Sequence, residues 1–188
     1  MLRKLAVLFP GIGYTVDRPL LHFSRRIAAD LGYEIKPLSY TGFPRNVRGD
    51  RQKMAECYYI ALTQAREMLS NTDLEPYDDI LFIGKSVGTI VATTLAAESP
   101  VKARIRQVIY TPLEETFSFP IPSAVVFTGS ADPWVGERDS RIPALCAEQG
   151  IPCFVIPNGN HSLESGSWRN DLENLHMILT ETERFIRG

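Results

Sequence analysis

The sequence has little net charge and no long apolar run, and these two shortages exclude several classes of protein. Twenty Lys and Arg residues oppose 22 Asp and Glu residues over 188 positions, which gives a formal net charge of −2. A nearly neutral chain has no electrostatic basis for binding nucleic acid or an anionic membrane. No stretch approaches the roughly 20 consecutive apolar residues of a membrane-spanning helix. We therefore expect neither nucleic acid nor a membrane as a partner.

Cysteine is also scarce, and its placement indicates free thiols. Cys57, Cys146 and Cys153 form no Cys-x-x-Cys pair, and each lies among apolar residues. Buried free thiols are therefore expected rather than disulfides or metal ligands, and no metal site is predicted. Free thiols indicate a reducing compartment, so the expected location is cytoplasmic.

Short apolar runs alternate with amphipathic stretches along the chain. The runs predict six strands, at residues 5–9, 33–38, 80–83, 105–110, 124–128 and 152–156. Helices between consecutive strands require crossovers, which predict a mostly parallel sheet covered on both faces, a three-layer α/β/α sandwich. No linker or repeat interrupts residues 1–188, so we expect a single domain. Asn170 and Glu173 resemble a capping box at the start of the last helix.

Residues 84–88, Gly-Lys-Ser-Val-Gly, stand between an apolar run and a small-residue helical stretch. The two glycines lack the Cβ atoms that would clash where strand and helix cross. This context is the one in which Gly-x-Ser-x-Gly presents a nucleophilic serine above a sheet, at the positive end of the next helix. The alternative is a structural turn whose serine caps the helix. A phosphate-binding loop is disfavoured because Asp79 stands where that motif needs glycine.

A serine hydroxyl needs a base within hydrogen-bond reach, and His161 is the one histidine outside a predicted helix. It follows the sixth strand, so it should lie at the same sheet edge as Ser86. Asp132 follows the fifth strand and would hold the imidazole in the required tautomer. The chain order Ser86, Asp132, His161 is the one expected for a catalytic triad after a nucleophile elbow. Taken singly, Asp132 would be a turn residue and His161 a solvated loop residue.

Two backbone N–H groups must face the oxyanion of a tetrahedral intermediate. The Val87 N–H is expected to be one, because it follows the nucleophile. The Ile12 N–H, from the loop after the first strand, is expected to be the other. Gly11 and Gly13 would let this backbone approach the substrate, the alternative being that they only form the turn.

Trp134 follows Asp132, and Trp168 follows His161. Either these tryptophans wall the acyl pocket as substrate-binding residues, or they are exposed packing residues. Four basic residues on predicted loops near this edge either favour an anionic substrate or are solvated surface charges: Arg18, Arg45, Arg48 and Lys85.

These motifs together resemble the α/β-hydrolase superfamily. The elbow at residues 84–88, Asp132 and His161 match that family's triad order, and the resemblance covers nearly the whole chain. Two features differ: the first strand corresponds to the family's third, and the lid position holds only residues 111–122. Pro10 stands where many relatives carry histidine. The resemblance implies a minimal α/β-hydrolase fold without a lid domain, similar to the small esterase-like and dienelactone-hydrolase-like members.

The resemblance also implies an activity. It predicts a serine hydrolase that cleaves carboxylic ester or thioester bonds of small soluble acyl substrates through an acyl-enzyme on Ser86, without a cofactor. A serine nucleophile instead of cysteine argues against dienelactone chemistry itself. Two alternatives stay open, a peptidase or amidase with the same triad and a non-catalytic binding module on this fold. Nothing in the sequence indicates the oligomeric state.

Overall fold

A computed structural model describes residues 2–135 and 140–188 of the chain. Six strands form one sheet: β1 (Lys4–Phe9), β2 (Glu34–Pro37), β3 (Asp79–Lys85), β4 (Ile105–Tyr110), β5 (Ala124–Gly129) and β6 (Cys153–Ile156). Their order is β2-β1-β3-β4-β5-β6, and every neighbouring pair is parallel. The predicted parallel α/β sheet of about six strands is confirmed.

Five helices cover the two faces of this sheet: α1 (Pro19–Asp30), α2 (Arg51–Leu69), α3 (Val87–Glu98), α4 (Ile142–Glu148) and α5 (Trp168–Arg187). Side chains alternate along a strand, so β3 sends Leu81 and Ile83 to one face and Ile80 and Phe82 to the other. The first pair packs in a core with α1 and α5, and the second pair packs in a core with α2 and α3. The sheet is therefore the middle layer of three, as the alternating pattern predicted.

Helix α3 lies very close to the carboxyl end of β1, and Gly88 makes this approach possible. A Cβ atom at Gly88 would lie 2.2 Å from the carbonyl oxygen of Phe9 and 2.5 Å from that of Pro10. Gly84 serves the predicted crossing of β3 and α3, since a Cβ there would lie 2.9 Å from the Cα of Thr89. The two glycines thus have different roles, because Gly88 seats α3 against a neighbouring strand.

The predicted capping box of the last helix is wrong. Helix α5 begins at Trp168, two residues before Asn170, and Ser167 is its N-cap without a side-chain bond. The loop before the helix is held instead by Asp171, whose Oδ1 accepts hydrogen bonds from the N–H and the hydroxyl of Ser165 at 2.6 and 2.7 Å. The carboxylate in the first turn of this helix therefore binds the preceding loop instead of capping the helix. The capping-box spacing gives no sign of this contact.

The three cysteines are free; Cys57 and Cys146 are buried and Cys153 is half-buried. Among the helices of the described ranges, none combines the length and the apolar character needed to cross a membrane. Nor do the His, Cys, Asp and Glu residues of those ranges form any group of three or more that could hold a metal ion.

Replacing Gly88 by alanine should strongly destabilise the protein. The new methyl group would meet two backbone carbonyls, which cannot move without shifting α3 off β1, so we expect a loss of about 3 kcal/mol or more in the free energy of unfolding. Gly166→Ala is the matched control, because Gly166 has a φ of +83° but open space around it. That variant should lose only about 1 kcal/mol. Equal losses in urea denaturation would contradict the role given to Gly88.

Candidate active site

Ser86 occupies the tight turn between β3 and α3 in a strained backbone conformation. Its φ is 55° and its ψ is −127°, a region that residues with a Cβ rarely adopt and that costs about 1–3 kcal/mol. Two backbone hydrogen bonds hold the turn, because the Ser86 N–H donates to the Tyr110 carbonyl at 3.1 Å and the Ser86 carbonyl accepts from the Thr89 N–H at 2.8 Å. The turn therefore fixes the serine beside the loops that follow β5 and β6.

The structure brings together the three residues predicted as a triad. The Ser86 Oγ lies 2.8 Å from the Nε2 of His161, and the His161 Nδ1 lies 2.7 Å from the Oδ2 of Asp132. An ionised carboxylate only accepts hydrogen bonds, so Nδ1 carries the proton and donates it to Asp132. Nε2 is then the acceptor that faces the serine hydroxyl. This is the arrangement that a serine nucleophile and its base require.

Asp132 is held by its own turn and by close packing of two loops. It is fully buried, and its Oδ1 accepts a hydrogen bond from the Trp134 N–H at 2.9 Å. The Ala131 N–H donates to the Gly159 carbonyl at 3.0 Å, and a Cβ at Gly129 would lie 2.0 Å from the same oxygen. The loops after β5 and β6 therefore touch backbone to backbone, which sets the distance between carboxylate and imidazole.

His161 is positioned by the turn that contains it and by an aromatic neighbour. The Asn160 side chain accepts hydrogen bonds from the N–H groups of Ser162 and Glu164 at 2.7 and 3.2 Å. The Trp134 indole stacks on the imidazole with 5.0 Å between ring centroids and 22° between planes. Trp134 thus lies against the base, whereas the sequence suggested only a pocket wall or a surface residue.

Burial keeps the imidazole in its neutral form. Loss of solvent lowers the pKa of His161 below its usual 6.5, and the nearby charge of Lys85 lowers it further. The hydrogen bond and the charge of Asp132 act in the opposite direction, but they do not reverse the result. A neutral His161 at neutral pH can accept a proton from Ser86.

The expected oxyanion donors lie beside the serine. Val87 is the first residue of α3, and Ile12 lies in the loop after β1; neither N–H donates a hydrogen bond to another described residue. Gly11 packs tightly on the elbow, since a Cβ there would lie 3.1 Å from the Cβ of Ser86. Gly13 has a φ of +66° and open space, so it forms the turn. The loop is therefore close enough to Ser86 to line a site above its hydroxyl.

A cleft of about 640 Å³ opens beside the triad, and Trp134 forms part of its wall. It runs between the first turns of α2, one face of α3 and residues 113–119. An apolar cluster that includes Val87, Ile12 and Trp134 connects the elbow to Met54 on this wall. The remaining apolar and aromatic lining residues are Val47, Ala55, Tyr58, Tyr59, Ile90, Leu113, Phe119 and Val135.

Trp168 does not line this cleft. It is 65% exposed at the start of α5, and the Arg169 guanidinium lies 4.5 Å from its ring centroid. The sequence does not identify Met54 and Tyr58 as residues of the cleft wall. They lie on the apolar face of α2, and their spacing is the same as that of core residues. The position of α2 beside the elbow is the missing information.

The basic residues divide into two groups. Arg18, Arg45 and Arg48 are exposed and line no part of the cleft, which fits solvated surface charge. Lys85 is different, because it is the last residue of β3 and only 3% exposed. Its expected place on a loop is therefore wrong, and so is the alternative of a solvated surface charge. The strand extends two residues further than the apolar run and carries the lysine into the interior.

No protein-family model matches the sequence, and no curated protein matches it. Solved structures do. Est1E from Butyrivibrio proteoclasticus, solved with ferulic acid bound, is 11% identical at a TM-score of 0.69, over 98% of this chain and 88% of that one. A Pyrococcus furiosus esterase is 14% identical at a TM-score of 0.66, over 99% of this chain and 83% of that one. A serine hydrolase without a lid from Xanthomonas campestris is 15% identical at a TM-score of 0.63, over 100% of this chain and 83% of that one. The fold is therefore that of a lidless α/β-hydrolase.

The ionisation of His161 can be tested by NMR titration of its ring protons. We expect His161 to titrate below 6.5, and Asp132→Asn to lower its pKa further, because the carboxylate favours the imidazolium. The matched control is Asp73→Asn, which removes the same charge from an exposed loop before β3 and should leave the His161 curve unchanged. A higher His161 pKa in Asp132→Asn would contradict the geometry described.

Proposed function

We propose that this protein is a serine hydrolase that cleaves carboxylic ester or thioester bonds of small acyl substrates through an acyl-enzyme on Ser86. The observation that carries the proposal is the continuous hydrogen-bonded chain from the Ser86 hydroxyl through His161 to the buried Asp132. Its two distances, 2.8 and 2.7 Å, allow proton transfer without rearrangement. Its esterase-like structural neighbours support the same activity.

The first half of the proposed reaction forms the acyl-enzyme. His161 Nε2 takes the proton of Ser86 as the Oγ attacks the acyl carbon, and the carbonyl oxygen becomes an oxyanion. The N–H groups of Val87 and Ile12 donate hydrogen bonds to this oxyanion. Asp132 stabilises the imidazolium, which then gives its proton to the leaving alcohol or thiol.

The second half releases the acid. A water molecule takes the place of the leaving group, gives its proton to His161 Nε2 and attacks the same acyl carbon. The second tetrahedral intermediate collapses, the Ser86 Oγ leaves and recovers its proton from the imidazolium, and the free enzyme is restored. Burial of the triad limits competition from bulk solvent for these hydrogen bonds.

The cleft supports a substrate with a sizeable apolar group. Its wall begins at Trp134, next to the base, and continues along Met54 and Ile90. A space of about 640 Å³ falls within the range of small-molecule sites, and its lining is mostly apolar and aromatic. The three free thiols are consistent with a cytoplasmic enzyme acting on small acyl compounds.

Ser86→Ala tests the nucleophile. We expect turnover of p-nitrophenyl esters to fall by about 10⁴-fold or more, and by about 10³–10⁴-fold in Asp132→Asn. Ser70→Ala, at an exposed serine after α2, is the matched control and should retain full activity. Near-normal ester turnover in Ser86→Ala would refute the nucleophile. Faster turnover of an amide panel than of an ester panel would instead favour a peptidase or amidase.

Ala55→Trp tests whether the cleft holds the acyl group. The indole would fill space on the exposed face of α2 without disturbing the core, so we expect acetyl esters to react normally while octanoyl esters lose about tenfold or more in kcat/KM. Ala103→Trp, at an exposed position outside the cleft, is the control. An equal loss of kcat/KM for acetyl and octanoyl esters would show that the acyl group does not lie in this cleft.

A further inference from the structure

The imidazole of His161 makes its hydrogen bonds at the edge of the ring, which leaves its faces for other contacts. Its Nδ1 lies 2.7 Å from the Oδ2 of Asp132, and its Nε2 lies 2.8 Å from the Oγ of Ser86. When Nε2 takes the serine proton, the positive charge spreads over the whole ring. The stability of the imidazolium therefore depends on the group that meets its face as well as on Asp132.

Trp134 meets one face of this ring. The indole and the imidazole are stacked, with 5.0 Å between their centroids and 22° between their planes. A cation within about 6 Å of an aromatic centroid is attracted by the negative face of the ring, and indole attracts it most strongly. A neutral imidazole gains much less from the same contact, because the attraction acts on charge. The stack therefore favours the charged form of His161.

The indole is held in this place from two sides. The Trp134 N–H donates to the Oδ1 of Asp132 at 2.9 Å, and the Val135 N–H donates to the Asp132 carbonyl at 3.4 Å. An aspartate side chain that binds the N–H two residues further on forms a tight turn. On its other side, the indole packs in the apolar cluster that contains Val87 and Ile12. One short turn thus supplies both the edge partner and the face partner of the imidazole.

The charges that act on His161 come from two other elements. Asp132, in the loop after β5, favours the imidazolium, whereas the charge of Lys85, at the end of β3, disfavours it. Loss of solvent disfavours it as well. Trp134 carries no charge, but its ring both excludes water and attracts a cation, and these two effects have opposite signs. A test of the indole must change the second effect without changing the first.

We propose that Trp134 is a positioning residue whose indole face stabilises the His161 imidazolium that forms as Ser86 attacks the substrate. This role goes beyond that of a cleft wall, and its catalytic consequence rests on the proposed function. The contact between charge and ring needs no substrate, because it concerns the ionisation of His161 alone.

The test places tryptophan with one, two or three fluorine atoms on its six-membered ring at position 134. Fluorine withdraws electrons from the face of the indole and weakens its attraction for a cation, whereas the shape of the ring hardly changes. We expect the pKa of His161, measured by NMR titration, to fall with each fluorine, by about half a unit over the series. The kcat/KM of acetyl and octanoyl esters should fall in parallel by about threefold, mainly through kcat.

The second tryptophan of the chain provides the matched control. Trp168 is 65% exposed at the start of α5, and its ring contacts the guanidinium of Arg169 at 4.5 Å from the centroid. The same fluorinated series at position 168 should leave both the His161 titration and the ester rates unchanged.

Two results would overturn the proposal. One is a His161 pKa that stays constant or rises as fluorine is added at position 134. The other is a loss of rate confined to octanoyl esters, which would make Trp134 a wall of the cleft and nothing more. The titration decides the question even if no ester is turned over, so failure of the hydrolase proposal and failure of the indole proposal remain distinguishable.

Discussion

The strained turn at Ser86 is the constraint on which the rest of the site depends. A residue with a Cβ holds a φ of 55° only where its surroundings leave no alternative. Two close backbone approaches supply that confinement, because α3 is seated on the end of β1 at Gly88 and the loop at Gly11 packs on the serine itself. The same two approaches place Val87, and the loop that carries Ile12, beside the serine. The contacts that hold the serine in its strained conformation therefore also position the residues of the proposed oxyanion site.

The parallel sheet supplies the other half of the site and determines its electrostatics. Carboxyl ends of β3, β5 and β6 meet at one edge, and contact between the loops at Gly129 and Gly159 brings Asp132 within hydrogen-bond reach of His161. Enclosure by Trp134 and by the loop after β1 removes solvent, and this loss of solvent lowers the pKa of both His161 and Lys85. One physical cause, burial, thus lowers the pKa of the base and of the lysine that precedes the nucleophile.

Much of the fold and the three central side chains followed from the sequence, since alternating elements predict a parallel sheet and residues after its strands must share an edge. What escaped prediction depends on contacts between distant segments. Lys85 was expected on a loop, but it ends β3, and packing against Gly11 and Tyr14 helps to bury it. Met54 looked like a core residue because a helix face that lines a cleft has the same amphipathic spacing as a face that packs in the core. The predicted capping box at Asn170 is wrong because helix α5 begins two residues earlier, at Trp168.

The central claim is that the turn at Ser86 presents the nucleophile beside the N–H groups of Val87 and Ile12. Its most direct measurement is a crystal structure of the protein after reaction with a small alkyl fluorophosphonate. The phosphorus should be bonded to the Ser86 Oγ, with one phosphonyl oxygen about 2.7–3.1 Å from the N–H groups of Val87 and Ile12. His161 should remain on Asp132. Phosphorus on another residue, or a phosphonyl oxygen turned away from both N–H groups, would contradict it.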